Sequence, residues 1–156
     1  ITRGMALGYT MSLPEDDRYL QSKAKLQDAI AGMLGGRAAE ELVFGDITTG
    51  ASDDLEKATK LARVMVTQYG MSDELGPRTF GQKEELVFLG REIGEQRDYS
   101  ERVAQQIDEE IHKIIVGCYN RALEILRSKR DRLEALAAQL IERETLEAGE
   151  VQAIIA

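Results

Sequence analysis

Apolar residues recur at every third or fourth position from Val103 through Ile107, Ile111, Ile114, Cys118 and Ala122 to Ile125. Only a helix keeps that spacing on one side, so the run predicts about seven turns of amphipathic helix with Glu, Lys and Arg on the other faces. Two earlier tracts share the period. Leu26, Ile30, Met33, Leu34, Ala38 and Leu42 make one, with Ser22 as its predicted cap and Phe44-Gly45 as its end. Leu55, Ala58, Leu61, Ala62, Met65, Val66 and Tyr69 make the other, with Ser52 as the predicted N-cap and Gly70 as the closing residue. Beyond a polar joint at Ser128 to Arg132, Leu133, Leu136, Ala137, Leu140 and Ile141 predict a helix antiparallel to the long one. Thr145 is the expected cap of a short terminal helix carrying Val151, Ile154 and Ile155.

These tracts predict a mostly α chain forming one domain over residues 1–156. Core helices occupy 22–70, an irregular loop region 71–99, and a helical hairpin with a terminal helix 100–156. Residues 1–14, with Gly4, Gly8 and Pro14 among Met5, Ala6, Leu7, Tyr9 and Met11, suit a short strand. Such a strand pairs with a short segment, Arg78 to Gly81 or Leu86 to Leu89, or offers an edge to an extended peptide. Gly76-Pro77, Gly81, Gly90 and Gly94 punctuate the 71–99 region, and a stretch that long is expected to face substrate or to be mobile.

A net charge of −8, with Lys and Arg scattered among carboxylates, argues against a nucleic-acid partner. Cys118 is the single cysteine. It falls on an apolar stripe, which makes it a small core hydrophobe in a reducing compartment. No apolar run approaches the roughly 20 residues of a membrane span. The chain begins at Ile1 without Met, which suggests a fragment or a processed product.

Candidate chemistry sits at the start of the second helix. Asp53 and Asp54 fall in its first turn, where carboxylates either complement the helix dipole or leave one oxygen donor for a metal. Periodicity leaves both readings open. Glu40 and Glu41 on the preceding helix are candidates for orienting a metal ligand from behind. Gly35-Gly36 costs roughly 1 kcal/mol per residue in a helix interior, and with Gly32, Ala38 and Ala39 it makes a flat face for close packing of another backbone. Glu109 and His112 form one Glu-x-x-His pair, of the kind helical bundles use in duplicate for metals. A lone copy reads as a surface histidine.

Together, several stretches resemble one family. Arg3-Gly4-Met5-Ala6-Leu7-Gly8-Tyr9-Thr10, Leu34-Gly35-Gly36-Arg37-Ala38-Ala39-Glu40-Glu41-Leu42-Val43-Phe44-Gly45, Thr48-Thr49-Gly50-Ala51 with Asp54-Leu55, Gly70-Met71-Ser72 and Leu75-Gly76-Pro77 occur in order. They look like the peptidase domain of the FtsH family, membrane-anchored and ATP-dependent AAA zinc proteases. The resemblance continues to Glu144-Thr145-Leu146.

It implies a mostly helical zinc-peptidase domain with a small β edge. A His-Glu-x-x-His helix supplies two zinc ligands and the general base, and an aspartate opening a later helix is the third ligand. The matching aspartate is Asp54, leaving Asp53 as the dipole residue. The strand Met5, Ala6, Leu7, Gly8 and Tyr9 resembles the edge that aligns an unfolded polypeptide substrate. Processive degradation of unfolded or membrane proteins, a hexameric ring, ATP bound in an upstream module and anchoring through upstream segments are further implications. So is a peptidase domain in a reducing compartment, the bacterial cytoplasm or an organelle matrix or stroma.

One departure is large: no His-Glu-x-x-His occurs in the 156 residues, and in the family it precedes the segment beginning at Ile1. The expectation is therefore one zinc ligand, no catalytic residue in this chain, an open place beside Gly35-Gly36, and no peptide hydrolysis by these residues alone. The rival is a non-catalytic scaffold or pseudoprotease assembly module on the same helices. A bundle metal site on Glu109 and His112 is a third reading.

Overall fold

The computed structural model describes residues 20–81 and 97–156. Among them are five α-helices, one 3-10 turn and no strand: α1 Lys23–Phe44, the 3-10 turn Thr49–Ala51, α2 Ser52–Thr67, α3 Glu101–Ser128, α4 Arg130–Arg143 and α5 Ala148–Ile155. The expected strand 1–14, with Met5 to Tyr9, lies outside the described residues, as does Leu86 to Leu89. Arg78 to Gly81 is not a strand. Its Phe80 N–H instead donates to the Thr67 carbonyl (2.8 Å), pinning the loop to the end of α2.

The chain divides into two compact units, and 21–123 is the larger. Its α1 begins where Ser22 Oγ accepts from the Lys25 N–H (3.2 Å) and ends at left-handed Gly45, φ 66°, whose N–H reaches the Glu41 carbonyl. Both ends are as the sequence predicts. The helix runs through Gly35-Gly36 without a break. A Cβ built at Gly32, Gly35 or Gly36 meets nothing within 4 Å among the described residues.

Leu26, Ile30, Ala31 and Leu34 of α1 cluster with Ala58, Ala62, Met65 and Val66 of α2 and Ile107, Ile111 and Cys118 of α3, with Phe80 in the same core. Lys23 pairs with Asp73 just beyond α2, while Glu40 bonds Thr48 just before it, so α1 and α2 run antiparallel. Against α1, Arg121 of α3 pairs with Asp28, and Tyr119 donates to Glu41. Burial, and after it the Glu41 carboxylate, pushes the Tyr119 hydroxyl pKa up. Cys118 is buried in the core, and desolvation raises its thiol pKa, which keeps it the inert hydrophobe its stripe position predicts.

Glu110 is the charged residue of this core face, 9% exposed. It accepts from Ser72 Oγ (2.6 Å) and pairs with Lys113 (2.6 Å), and Ser72 Oγ also accepts from the Leu75 N–H. Lys113, then Ser72, hold the Glu110 carboxyl below its ordinary pKa. A carboxylate depressed on folding adds stability above its unfolded pKa and loses it as pH falls through the folded value. Glu110→Gln is therefore expected to cost about 1 to 2 kcal/mol at pH 7. The gap to the unmodified chain should narrow as pH falls through the folded carboxyl's pKa, which lies below the ordinary glutamate value, because both chains then lack the charge. Urea titrations at pH 7, 5 and 3 check this; an equal gap at all three would reject it.

The second unit holds 124–156. Left-handed Glu144, φ 61°, ends α4, and a capping box opens α5: the Glu147 N–H donates to Glu150 Oε2 (2.9 Å) and the Glu147 side chain accepts in return. The cap is thus Glu147 and not Thr145, because the chain needs two more residues after the left-handed turn before it re-enters helix. Arg143 at the end of α4 pairs with Glu150, and Arg132 at its start donates to the Ile155 carbonyl. Those two contacts make α4 and α5 an antiparallel hairpin.

Candidate metal-binding turn

The turn between α1 and α2 is built from a side-chain grip. Glu40, on the last turns of α1, accepts from the Thr48 N–H at Oε2 (3.2 Å) and from Thr48 Oγ1 at Oε1 (2.9 Å). Thr48 Oγ1 in turn accepts from the Gly50 N–H (3.1 Å). The 3-10 turn Thr49–Ala51 follows and runs directly into α2, with the Ser52 N–H donating to the Thr49 carbonyl. Ala51, 8% exposed, seats the junction in the core.

Ser52 is consequently the first residue of α2 and not its N-cap. The backbone at Ala51 has φ −90° and ψ 12° and supplies no side-chain cap. Thr48 takes the capping role a turn earlier, its hydroxyl accepting from the Gly50 N–H at the start of the 3-10 turn that leads into α2. A Thr two residues before a Gly permits such a hydroxyl-to-amide turn, and Glu40 on α1 holds it in place.

Asp53 and Asp54 share the first turn but not their surroundings. Asp53 forms an i,i+4 ion pair with Lys57 at 2.6 Å and raises the lysine's pKa. Asp54, whose i+4 neighbour is buried Ala58, is exposed and makes no hydrogen bond or ion pair among the described residues. Its carboxylate is an oxygen donor of the kind zinc accepts. A catalytic zinc site takes three protein ligands, and among the described residues no group of three His, Cys, Asp or Glu stands together. Asp54 thus offers a single exposed oxygen donor, chemically suited to zinc, without two further donors beside it among the described residues.

Of the other candidates, Glu40 lies beside the Asp54 turn and Glu41 points elsewhere, to Tyr119. The substrate-edge residues Met5, Ala6, Leu7, Gly8 and Tyr9 lie outside the described residues. His112 is exposed on α3, and Glu109 accepts from Gln105 (3.0 Å). Glu110, which lies between Glu109 and His112 and is not part of that pair, had no role in the sequence reading. Its place three residues after Ile107, on the edge of the apolar stripe, was the available sign of burial.

Comparison with known proteins covers nearly every residue. Residues 1–154 match the family described as peptidase family M41. The ATP-dependent zinc metalloprotease FtsH of Thermotoga maritima is 54% identical over 156 residues, 99% of this chain and 26% of the relative. FtsH 1 of Sphaerobacter thermophilus, also named an ATP-dependent zinc metalloprotease, is 55% identical over 154 residues, 99% of this chain and 24% of the relative. The Bacillus subtilis FtsH, so named too, is 49% identical over 156 residues, with 99% and 24% covered. The chain thus spans about a quarter of the length of these relatives.

Proposed function

Because this chain belongs to peptidase family M41, we propose that it is the back portion of a zinc metalloendopeptidase domain within an ATP-dependent protease. The family match along residues 1–154 carries that reading. In it, Asp54 is one zinc ligand, while Asp53 pairs with Lys57 and complements the helix dipole. With one histidine among its 156 residues, this chain supplies only a portion of such a centre, and no catalytic residue in it takes the substrate's or water's proton. By itself it does not hydrolyse peptides.

Bound zinc supplies a Lewis acid and a water of lowered pKa. In this reading the chain contributes the first turn of α2, which presents Asp54, and the substrate-pairing role that the family resemblance gives to Met5 to Tyr9. Main-chain pairing reads no side-chain sequence, which suits unfolded polypeptides and membrane proteins alike. No described helix is long and apolar enough to cross a membrane. Membrane anchoring, ATP binding and a hexameric ring are proposed for the intact protein on the family match. A bacterial cytoplasmic, matrix or stromal peptidase domain is the corresponding location.

The test is zinc retention. In the intact protein, Asp54→Asn is expected to lose its zinc on dialysis, by elemental analysis, while Asp53→Asn keeps it. Equal retention in both variants would remove Asp54 from the ligand set. If the unmodified intact protein holds no zinc, the scaffold reading takes over.

A further inference from the structure

The grip at Thr48 has a use beyond closing a loop. We propose that Thr48 is a positioning residue for zinc binding: it passes the constraint of Glu40 on α1 to the first turn of α2 and so fixes where the Asp54 carboxylate stands. This rests on the reading of Asp54 as a ligand.

Three contacts support it. Thr48 is held at both its N–H and its hydroxyl by the two oxygens of a single carboxylate, which fixes the residue's orientation as well as its distance from α1. Its hydroxyl oxygen then takes the Gly50 N–H, so the same side chain that is anchored to α1 sets the pitch of the 3-10 turn. The residue at 50 is matched to this arrangement. A Cβ there would stand 3.2 Å from Thr48 Oγ1 and 3.6 Å from Glu40 Oε1, so a glycine leaves the relay its room.

From Gly50 to Asp54 the backbone is continuously helical, 3-10 and then α, and Ala51 is buried at the junction. A rotation of the turn at Thr48 is therefore delivered to Asp54 with no flexible residue between. Asp54 makes no hydrogen bond or ion pair among the described residues, so the contacts there that bear on it are those that place its backbone. Metal affinity is sensitive to such placement, because a ligand that must be moved into position binds more weakly.

The experiment uses the intact protein, stripped of metal and titrated with zinc against a competing chelator. Thr48→Val keeps the shape and removes both hydroxyl bonds. It is expected to weaken zinc binding about 10- to 100-fold. Thr48→Ser keeps the hydroxyl and should restore the affinity, and Thr49→Val, one residue along with no side-chain bond, should leave it unchanged. Thr48→Ala removes the same bonds with less bulk and repeats the test if the valine variant does not fold.

Unchanged zinc affinity in Thr48→Val overturns the proposal, and so does a loss that Thr48→Ser does not restore. Failure of both Thr48→Val and Thr48→Ala to fold overturns it as well, since the relay is then a folding contact. Asp54→Asn run in parallel separates the two claims. If it binds zinc normally, the ligand reading has failed; if it loses zinc while Thr48→Val keeps it, only the relay has.

Discussion

Replacing Ile30 with alanine is expected to destabilise the 21–123 unit by about 3 to 4 kcal/mol. Ile30 is 0% exposed in the middle of α1, with Leu34 at 1%, Met65 at 0% and Ile107 at 1% in the same core. All three helices of the unit contribute to that core. Truncation removes three carbons from a site whose neighbours cannot close in, because each is itself held on a helix packed from another side. The cost therefore combines lost transfer energy with an unfilled cavity. Ile141→Ala on α4, where the side chain is 83% exposed, should change stability by less than about 0.5 kcal/mol. Urea unfolding followed by circular dichroism reads both. A shift at Ile30 as small as that at Ile141 would mean that the packing of α1 against α2 and α3 does not hold the unit together.

Gly70→Ala is expected to cost about 2 to 4 kcal/mol, combining a left-handed backbone penalty with overpacking. Gly70 has φ 60°, and a Cβ there would stand 3.1 Å from the Arg78 nitrogen, 3.1 Å from Pro77 Cα and 3.3 Å from the Pro77 carbonyl carbon. Those are backbone atoms, which do not swing aside as a side-chain end does. The loop they belong to is also tied down, by the Phe80 N–H on Thr67 and by Ser72 on Glu110. Gly76 provides the control. Its φ is 75°, but a Cβ there meets nothing within 4 Å, so Gly76→Ala should show the backbone term alone, about 1 kcal/mol. If the two variants melt together, the close approach at Gly70 contributes nothing. Hydrogen exchange at the Phe80 amide would locate the damage, with faster exchange expected in Gly70→Ala.

Gly70 also shows how a correct residue can carry a mistaken reason. The sequence predicts it as the residue that closes α2, yet the helix ends at Thr67 and Gly70 serves the loop's return past Pro77. Periodicity and turn chemistry are local, and they place a glycine near a helix end without saying which stretch of chain passes behind it. The same limit explains Glu110. A glutamate among other charges reads as solvent-facing until Ser72, 38 residues away, is brought against it.

By itself the sequence determined the helices, because a spacing of three and four residues leaves a chain no other way to bury one side. It determined both ends of α1, through the hydroxyl of Ser22 and the left-handed tolerance of Gly45. The burial of Cys118 and the family were legible too, the family through several motifs in order. It left Asp53 and Asp54 undivided in their shared first turn, and the family resemblance alone singled out Asp54. Only the tertiary structure decided what the turn before α2 is. That a 3-10 turn displaces Ser52 from the cap, and that Thr48 hangs from Glu40, depends on α1 and α2 lying antiparallel. Hydrogen bonds between residues on different elements form only after packing has set the distance between them, and no local pattern encodes that distance.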